Sequence, residues 1–206
     1  MQEPEEITEP DEQEPEPDIK ARKQSEVDAF LEAINQRSVA GTRFYALTLM
    51  AYMTGMRIGE VLNVRIRDID TVKGTIYVRK SKTHKQRTCL LPMEPDALND
   101  FHSAMMRWYN AREKMNPTSD RVFVAKTGEP LIYASVIRTF HSTSRQAKLE
   151  PPLLPHQLRH SYVSRMMGNG ANMPGLARQM GHSIPVMVKT YTHCVDVEQL
   201  RAVERW

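Results

Sequence analysis

Cysteine is scarce in this chain of 206 residues, where Cys89 and Cys194 are the only two. They make no disulfide framework, which argues against a small secreted scaffold and suits a reducing compartment. Apolar runs are short: none approaches the roughly 18 residues a membrane-spanning helix needs, and no secretory signal opens the sequence. A cytoplasmic protein with no membrane partner is therefore expected. No GxxxxGK[ST] phosphate loop is present, nor an acidic cluster patterned for Mg²⁺, so nothing points to nucleotide hydrolysis. Internal repeats of useful length are also missing.

Positive charge is missing where the chain begins. Residues 1 to 18 carry nine acids and no Lys or Arg, interrupted by Pro4, Pro10, Pro15 and Pro17. Such a segment buries too little apolar surface to offset its ordering entropy, so residues 1–19 are expected to form a disordered, acidic, proline-rich linker or tail. These acids mask the rest of the chain. The formal net charge is +3, from 28 basic and 25 acidic residues, and without the nine leading acids the balance becomes 28 to 16, or +12. That excess suits a polyanionic partner. The remaining length, in a chain 40% hydrophobic, is enough for one ordinary core.

What is present is mostly helical spacing. Val27, Phe30, Leu31 and Ile34 follow Ser25 as a cap, Leu98, Phe101, Met105 and Trp108 mark another stripe, and Ile132, Val136, Ile137 and Phe140 a third beyond a turn at Thr127 and Gly128. Phe44 to Met53 reads as a buried helix closing at Gly55, with Ile58 to Leu62 opening the next. Two β-prone runs, Thr75 to Val78 and Thr88 to Leu91, flank the basic string RKSKTHKQR and predict an antiparallel hairpin. The expected fold is α+β, mainly α-helical, with one small antiparallel sheet near Asp68 to Leu91. These stripes and most of the 13 methionines read as core.

Five motifs stand out from this core in chain order: GMRIGE, the basic hairpin, HQLRHS, GHS and KTYTH. Arg57 lies at a helix start, where a guanidinium fork adds to free amides and a favourable dipole for an anion; a salt bridge to Glu60 is the plainer alternative. Lys82 lies in the hairpin among cations that would mostly touch backbone phosphates, namely Arg79, Lys80, Lys85 and Arg87. HQLRHS sets His156, Arg159 and His160 on one helical face. HxxxH suggests a zinc pair, but Gln157 stands where HExxH has its general base and no third ligand is obviously placed, so no metal is expected. Gly181 can end one helix, with Ser183 and Pro185 opening the next, which puts His182 in a corner and Tyr191 about two turns on. Taken alone, Tyr191 reads as packing.

Together and in this order, from about Ser25 to Val195, the motifs resemble the catalytic domain of the tyrosine recombinases, the phage integrase family. The resemblance implies that Tyr191 is a nucleophile forming a 3′-phosphotyrosyl link to DNA. It further implies that Arg57 and Arg159 hold the nonbridging oxygens, Lys82 protonates the leaving oxygen, His156 acts as general acid or base, and His182 donates a hydrogen bond to the phosphate. Lys85 is the rival for the lysine role. The chemistry is coherent, since a phenol with a pKa of about 10 needs a base and a cationic surround at neutral pH. The ester also conserves the energy of the broken bond, so rejoining needs no ATP and no cofactor is expected.

The chain is thus expected to comprise the linker, a catalytic domain over residues 20–196, and a C-terminal tail over residues 197–206. Val197, Leu200 and Val203 would give that tail a short apolar face, packed on its own domain or exchanged between subunits. Expected partners are double-stranded DNA and further copies of the chain, a tetramer on DNA, with no small-molecule substrate. Two other readings remain open: a type IB topoisomerase, which relaxes DNA without exchanging partners, and a DNA-binding module that has lost catalysis.

Overall fold

A computed structural model describes residues 21–79 and 86–191. The acidic segment, Lys80, Lys82, Lys85 and the C-terminal tail lie outside the described residues.

A buried helix, α2 (Val39–Thr54), organises the fold. Ser38 caps it by accepting from the Gly41 N–H at 3.0 Å, and Gly55 closes it in the left-handed region at φ 67°. It starts five residues before Phe44 because that cap, rather than the first apolar residue, sets its beginning. Phe44 and the run from Ala46 to Tyr52 are buried, so both flanks must be covered. Helices α4 (Pro95–Glu113) and α6 (Pro155–Gly168) pack against it. Phe140 of α5 (Tyr133–Gln146) fills the corner between Phe30 and Phe44, with ring centroids 5.2 and 5.1 Å away. Trp108 of α4 is fully buried and donates its Nε1–H to the Val122 carbonyl at 2.8 Å, satisfying the one polar group it carries inside.

Two expectations shift. Helix α1 (Gln24–Glu32) is capped at Lys23 rather than Ser25, because the Glu26 carboxylate accepts the Lys23 N–H at 2.9 Å and draws Ser25 into the first turn. Ile132, spaced as a member of the third stripe, is 71% exposed. It is the N-cap of α5 and precedes the first helical turn, so the helical period does not yet apply to it.

After α3 (Ile58–Asn63) and a 3-10 turn at Ile66–Asp68, the chain forms a three-stranded antiparallel sheet in the order β1 (Ile69–Asp70), β2 (Thr75–Val78) and β3 (Arg87–Leu90). In the β2–β3 register Ile76 faces Cys89 and Val78 faces Arg87. Strand alternation therefore buries Arg87 and Cys89 together and leaves Thr88 and Leu90 outside.

Helices α7 (Met173–Met180) and α8 (Ile184–Tyr191) cover β3 and the end of α6. They enclose a second apolar cluster of Tyr162, Val163, Met167, Leu176, Ala177, Met180, Met187 and Tyr191. The N-terminal end of the described chain runs beside α6, where the Arg22 N–H donates to Ser161 Oγ at 2.9 Å and Arg22 Nη2 to the Pro152 carbonyl at 2.9 Å. Among the described residues no helix is long and apolar enough to cross a membrane.

Candidate active site

Where α2 ends, the chain must turn sharply without a side chain. A Cβ on Gly55 would lie 2.5 Å from Tyr162 Cδ1 and 2.9 Å from Met180 Sδ, and its φ is in the region that favours glycine. The turn delivers Arg57 as the N-cap of α3, where its backbone N–H donates to Glu60 Oε2 at 2.8 Å. Its guanidinium lies beside the same carboxylate, with Nη1 3.8 Å from Oε1. The salt bridge anticipated from the RxxE spacing is present, but loose.

Arg159 enters from α6 and is 1% exposed. Its Nη1 donates to the Gly55 carbonyl at 2.8 Å and its Nη2 to the Met180 carbonyl at 2.7 Å, acceptors at the C-terminal ends of α2 and α7 where a cation is favoured. Nη2 also lies 2.8 Å from His182 Nε2. A guanidinium only donates, so Nε2 accepts and the neutral ring carries its proton on Nδ1. That Nδ1 is 3.4 Å from Met187 Sδ. Burial is the main reason the Arg159 pKa is drawn down to about 10; the neighbouring Arg57 charge adds to it and Glu60 opposes it.

Tyr191 ends α8 and is 1% exposed, inside the second apolar cluster. Its ring stands 5.2 Å from that of His160, and its position bears electrostatically on Arg159. Gly181, at φ 70°, makes the corner that places His182 between α7 and α8. The site therefore gathers Arg57, Arg159, His182 and Tyr191 around the ends of α2 and α7. His156, half-buried in the first turn of α6, lies one helical turn before Arg159 and His160.

The two hairpin arginines among the described residues, Arg79 and Arg87, both pair with carboxylates. Arg87 is 9% exposed. Its Nη1 and Nη2 fork onto Glu60 at 2.6 and 2.7 Å, and its Nε donates to the Gln179 carbonyl at 2.6 Å. Expected among the phosphate contacts, it is instead committed to the protein interior, because it shares the inward face of β3 with Cys89. Burial drives the Glu60 carboxyl pKa up, yet the Arg87 hydrogen bonds and charge, with Arg159 and Arg57 beyond, outweigh burial and hold it at about 2. Arg79 pairs with Asp68, Nε to Oδ2 at 3.1 Å and Nη2 to Oδ1 at 2.5 Å, and its side chain stays 35% exposed.

Residues 21–197 match the model of the phage integrase family. The chain belongs to that family. It is 28% identical over 182 residues to tyrosine recombinase XerC of Lactobacillus leichmannii, covering 88% of this chain and 60% of that protein. To tyrosine recombinase XerD of Halalkalibacterium halodurans it is 29% identical over 171 residues, covering 82% and 55%. This phage integrase chain thus spans about 60% or less of the length of these relatives. Among solved structures, XerH bound to palindromic difH substrate in a post-cleavage complex is similar with a TM-score of 0.74 at 23% identity, covering 91% of this chain and 53% of that one. The lambda integrase catalytic core has a TM-score of 0.60 at 21% identity, covering 79% and 91%. These likenesses show the fold, which agrees with the mainly helical α+β domain and small antiparallel sheet expected for a phage integrase.

Three residues of this phage integrase site were not singled out by sequence reasoning. Glu60 was read only as a partner for Arg57, His160 only as a neighbour in HQLRHS, and Gln179 not at all. Among the described residues no group of three or more His, Cys, Asp or Glu side chains is placed to hold a metal ion.

Proposed function

We propose that this chain is the catalytic part of a site-specific DNA recombinase or integrase that cleaves and rejoins strands through a 3′-phosphotyrosyl intermediate. The convergence of Arg57, Arg159, His182 and Tyr191 on one corner of the fold carries this reading. The phenol oxygen of Tyr191 attacks the scissile phosphorus and its proton passes to His156. The bond from phosphorus to the 5′ oxygen breaks, and that oxygen takes a proton from Lys82. Negative charge gathers on the nonbridging oxygens, to which Arg57, Arg159 and His182 donate once the phosphate takes the place of their present partners. In rejoining, the 5′ hydroxyl attacks the phosphotyrosyl ester and the protons return along the same routes. The +12 balance of residues 19–206 supports a double-stranded DNA partner. XerH was solved bound to its palindromic difH substrate, and a symmetric site suits assembly of several copies of this chain on DNA.

The test is incubation with a pool of nicked duplexes of randomised sequence, in which loss of the short 5′ fragment traps the adduct. The wild-type chain yields an SDS-resistant protein–DNA adduct and Tyr191→Phe yields none. Absence of any wild-type adduct overturns the reading in favour of a binding module. Relaxation of supercoiled plasmid without exchanged product favours the topoisomerase alternative.

A further inference from the structure

His160 follows Arg159 directly on α6 and is 5% exposed. Its imidazole meets the ring of Tyr191, with centroids 5.2 Å apart and planes tilted by 40°. Around the same phenol the second apolar cluster supplies Met180 and Met187, the latter one helical turn before Tyr191 on α8. We propose that His160 is a positioning residue whose flat ring seats the Tyr191 phenol for attack on the scissile phosphorus, a role that rests on the strand-cleavage reading above.

The physical reason is registration. Arg159 reaches the Gly55 and Met180 carbonyls and the His182 ring, while the next residue of the same helix meets Tyr191. One peptide of α6 therefore sets how far the phenol lies from the corner where the ends of α2 and α7 come together. A helix holds such a spacing more exactly than a loop does. The reaction is sensitive to it, since a misplacement of about 1 Å costs on the order of a hundredfold in rate. Two rings in contact also restrict the plane in which the phenol hydroxyl can swing toward a phosphate, because aromatic pairs have preferred orientations. Flexible thioethers such as Met180 and Met187 impose no such plane. The imidazole thus contributes its shape, and the seat does not need its nitrogens.

The test separates the ring from its nitrogens. His160→Asn keeps a polar group and loses the ring, whereas His160→Phe keeps a ring and loses the polar atoms. At saturating concentrations of the nicked duplexes, His160→Asn is expected to form adduct at least about tenfold more slowly. The duplex concentration giving half the maximal rate stays unchanged, because the phenol is misplaced while DNA is held as before. His160→Phe is expected to stay close to wild type in both quantities. Slowing in His160→Phe as large as in His160→Asn overturns the proposal, since the imidazole would then act through its nitrogens. A His160→Asn chain as fast as wild type or faster overturns it as well, since the ring would then be dispensable or a restraint on the phenol. If His160→Asn fails to fold, His160→Leu, apolar but without a flat ring, takes its place in the same comparison. A crystal structure of the ringless variant needs no cleavage: a displaced Tyr191 ring supports the proposal, and an unmoved one overturns it. Failure of the cleavage reading shows separately, as the absence of adduct in the wild-type chain.

Discussion

Arg159 Nη2 donates to His182 Nε2 across 2.8 Å, joining two residues 23 apart in sequence at the point where α6 meets the α7–α8 corner. The contact defines a state. The Arg159 donors are directed at the Gly55 and Met180 carbonyls and at His182, and Tyr191 is 1% exposed, so both side chains face protein rather than solvent. For His182 to donate a hydrogen bond to DNA, its ring must turn or gain a second proton, and α8 must release the phenol.

The tautomer is directly observable. Nitrogen-15 NMR of imidazole-labelled protein without DNA, at a pH where the ring is neutral, is expected to show His182 protonated on Nδ1 with Nε2 as the acceptor. A proton on Nε2 would mean that the Arg159 contact does not form.

Gly55 serves the turn and the site together, since its carbonyl accepts from Arg159 while its Cα faces Tyr162. Gly55→Ala adds a left-handed strain of about 1–3 kcal/mol to a clash with the Tyr162 ring at 2.5 Å. A chemical-denaturation midpoint lowered to match, together with slower adduct formation, is the expected outcome. A variant as stable and as active as wild type would show that the turn tolerates a side chain.

The Glu60 carboxyl sets an acid limit on stability. Its folded pKa, about 2, lies below the ordinary value of 4.5. Its contribution is therefore fully present above about 4.5 and is lost as pH falls toward about 2. Thermal unfolding followed across that window is expected to show the melting temperature of wild type falling more steeply than that of Glu60→Gln, which has no proton to take up there. Parallel curves would mean that Glu60 does not titrate between those limits.

Much of this was legible where the information is local. The buried run from Phe44 to Met53, the two β-prone segments, and the succession of Gly181, Ser183 and Pro185 each specify their own turn or period. The five motifs in order resembled a family that the family model then matched over residues 21–197. The partners of buried charges were harder to read, because they are set by contacts between distant segments. Arg159 finds the Gly55 carbonyl 104 positions away, and Arg87 finds Glu60 at 27. One signal was available for Arg87. Alternation along β3 puts it on the same face as Cys89 and Leu91, so a buried arginine with a carboxylate partner was the consistent reading of that strand. Ile132 shows the reverse failure, where an apolar residue in step with a helical stripe lies just outside the helix.

Arg159→Ala tests the electrostatic part of the chemistry. It is expected to slow adduct formation by about 10²–10³, while noncovalent DNA affinity, spread over many phosphate contacts, falls far less. An equal loss in both would make Arg159 a binding residue rather than one that acts on the reacting phosphate.

The central claim concerns one bond, between the Tyr191 oxygen and phosphorus. Proteolysis of the trapped adduct followed by tandem mass spectrometry locates the nucleotide on a peptide. The account predicts a fragment series placing it on Tyr191, and a series placing it on any other side chain would contradict it.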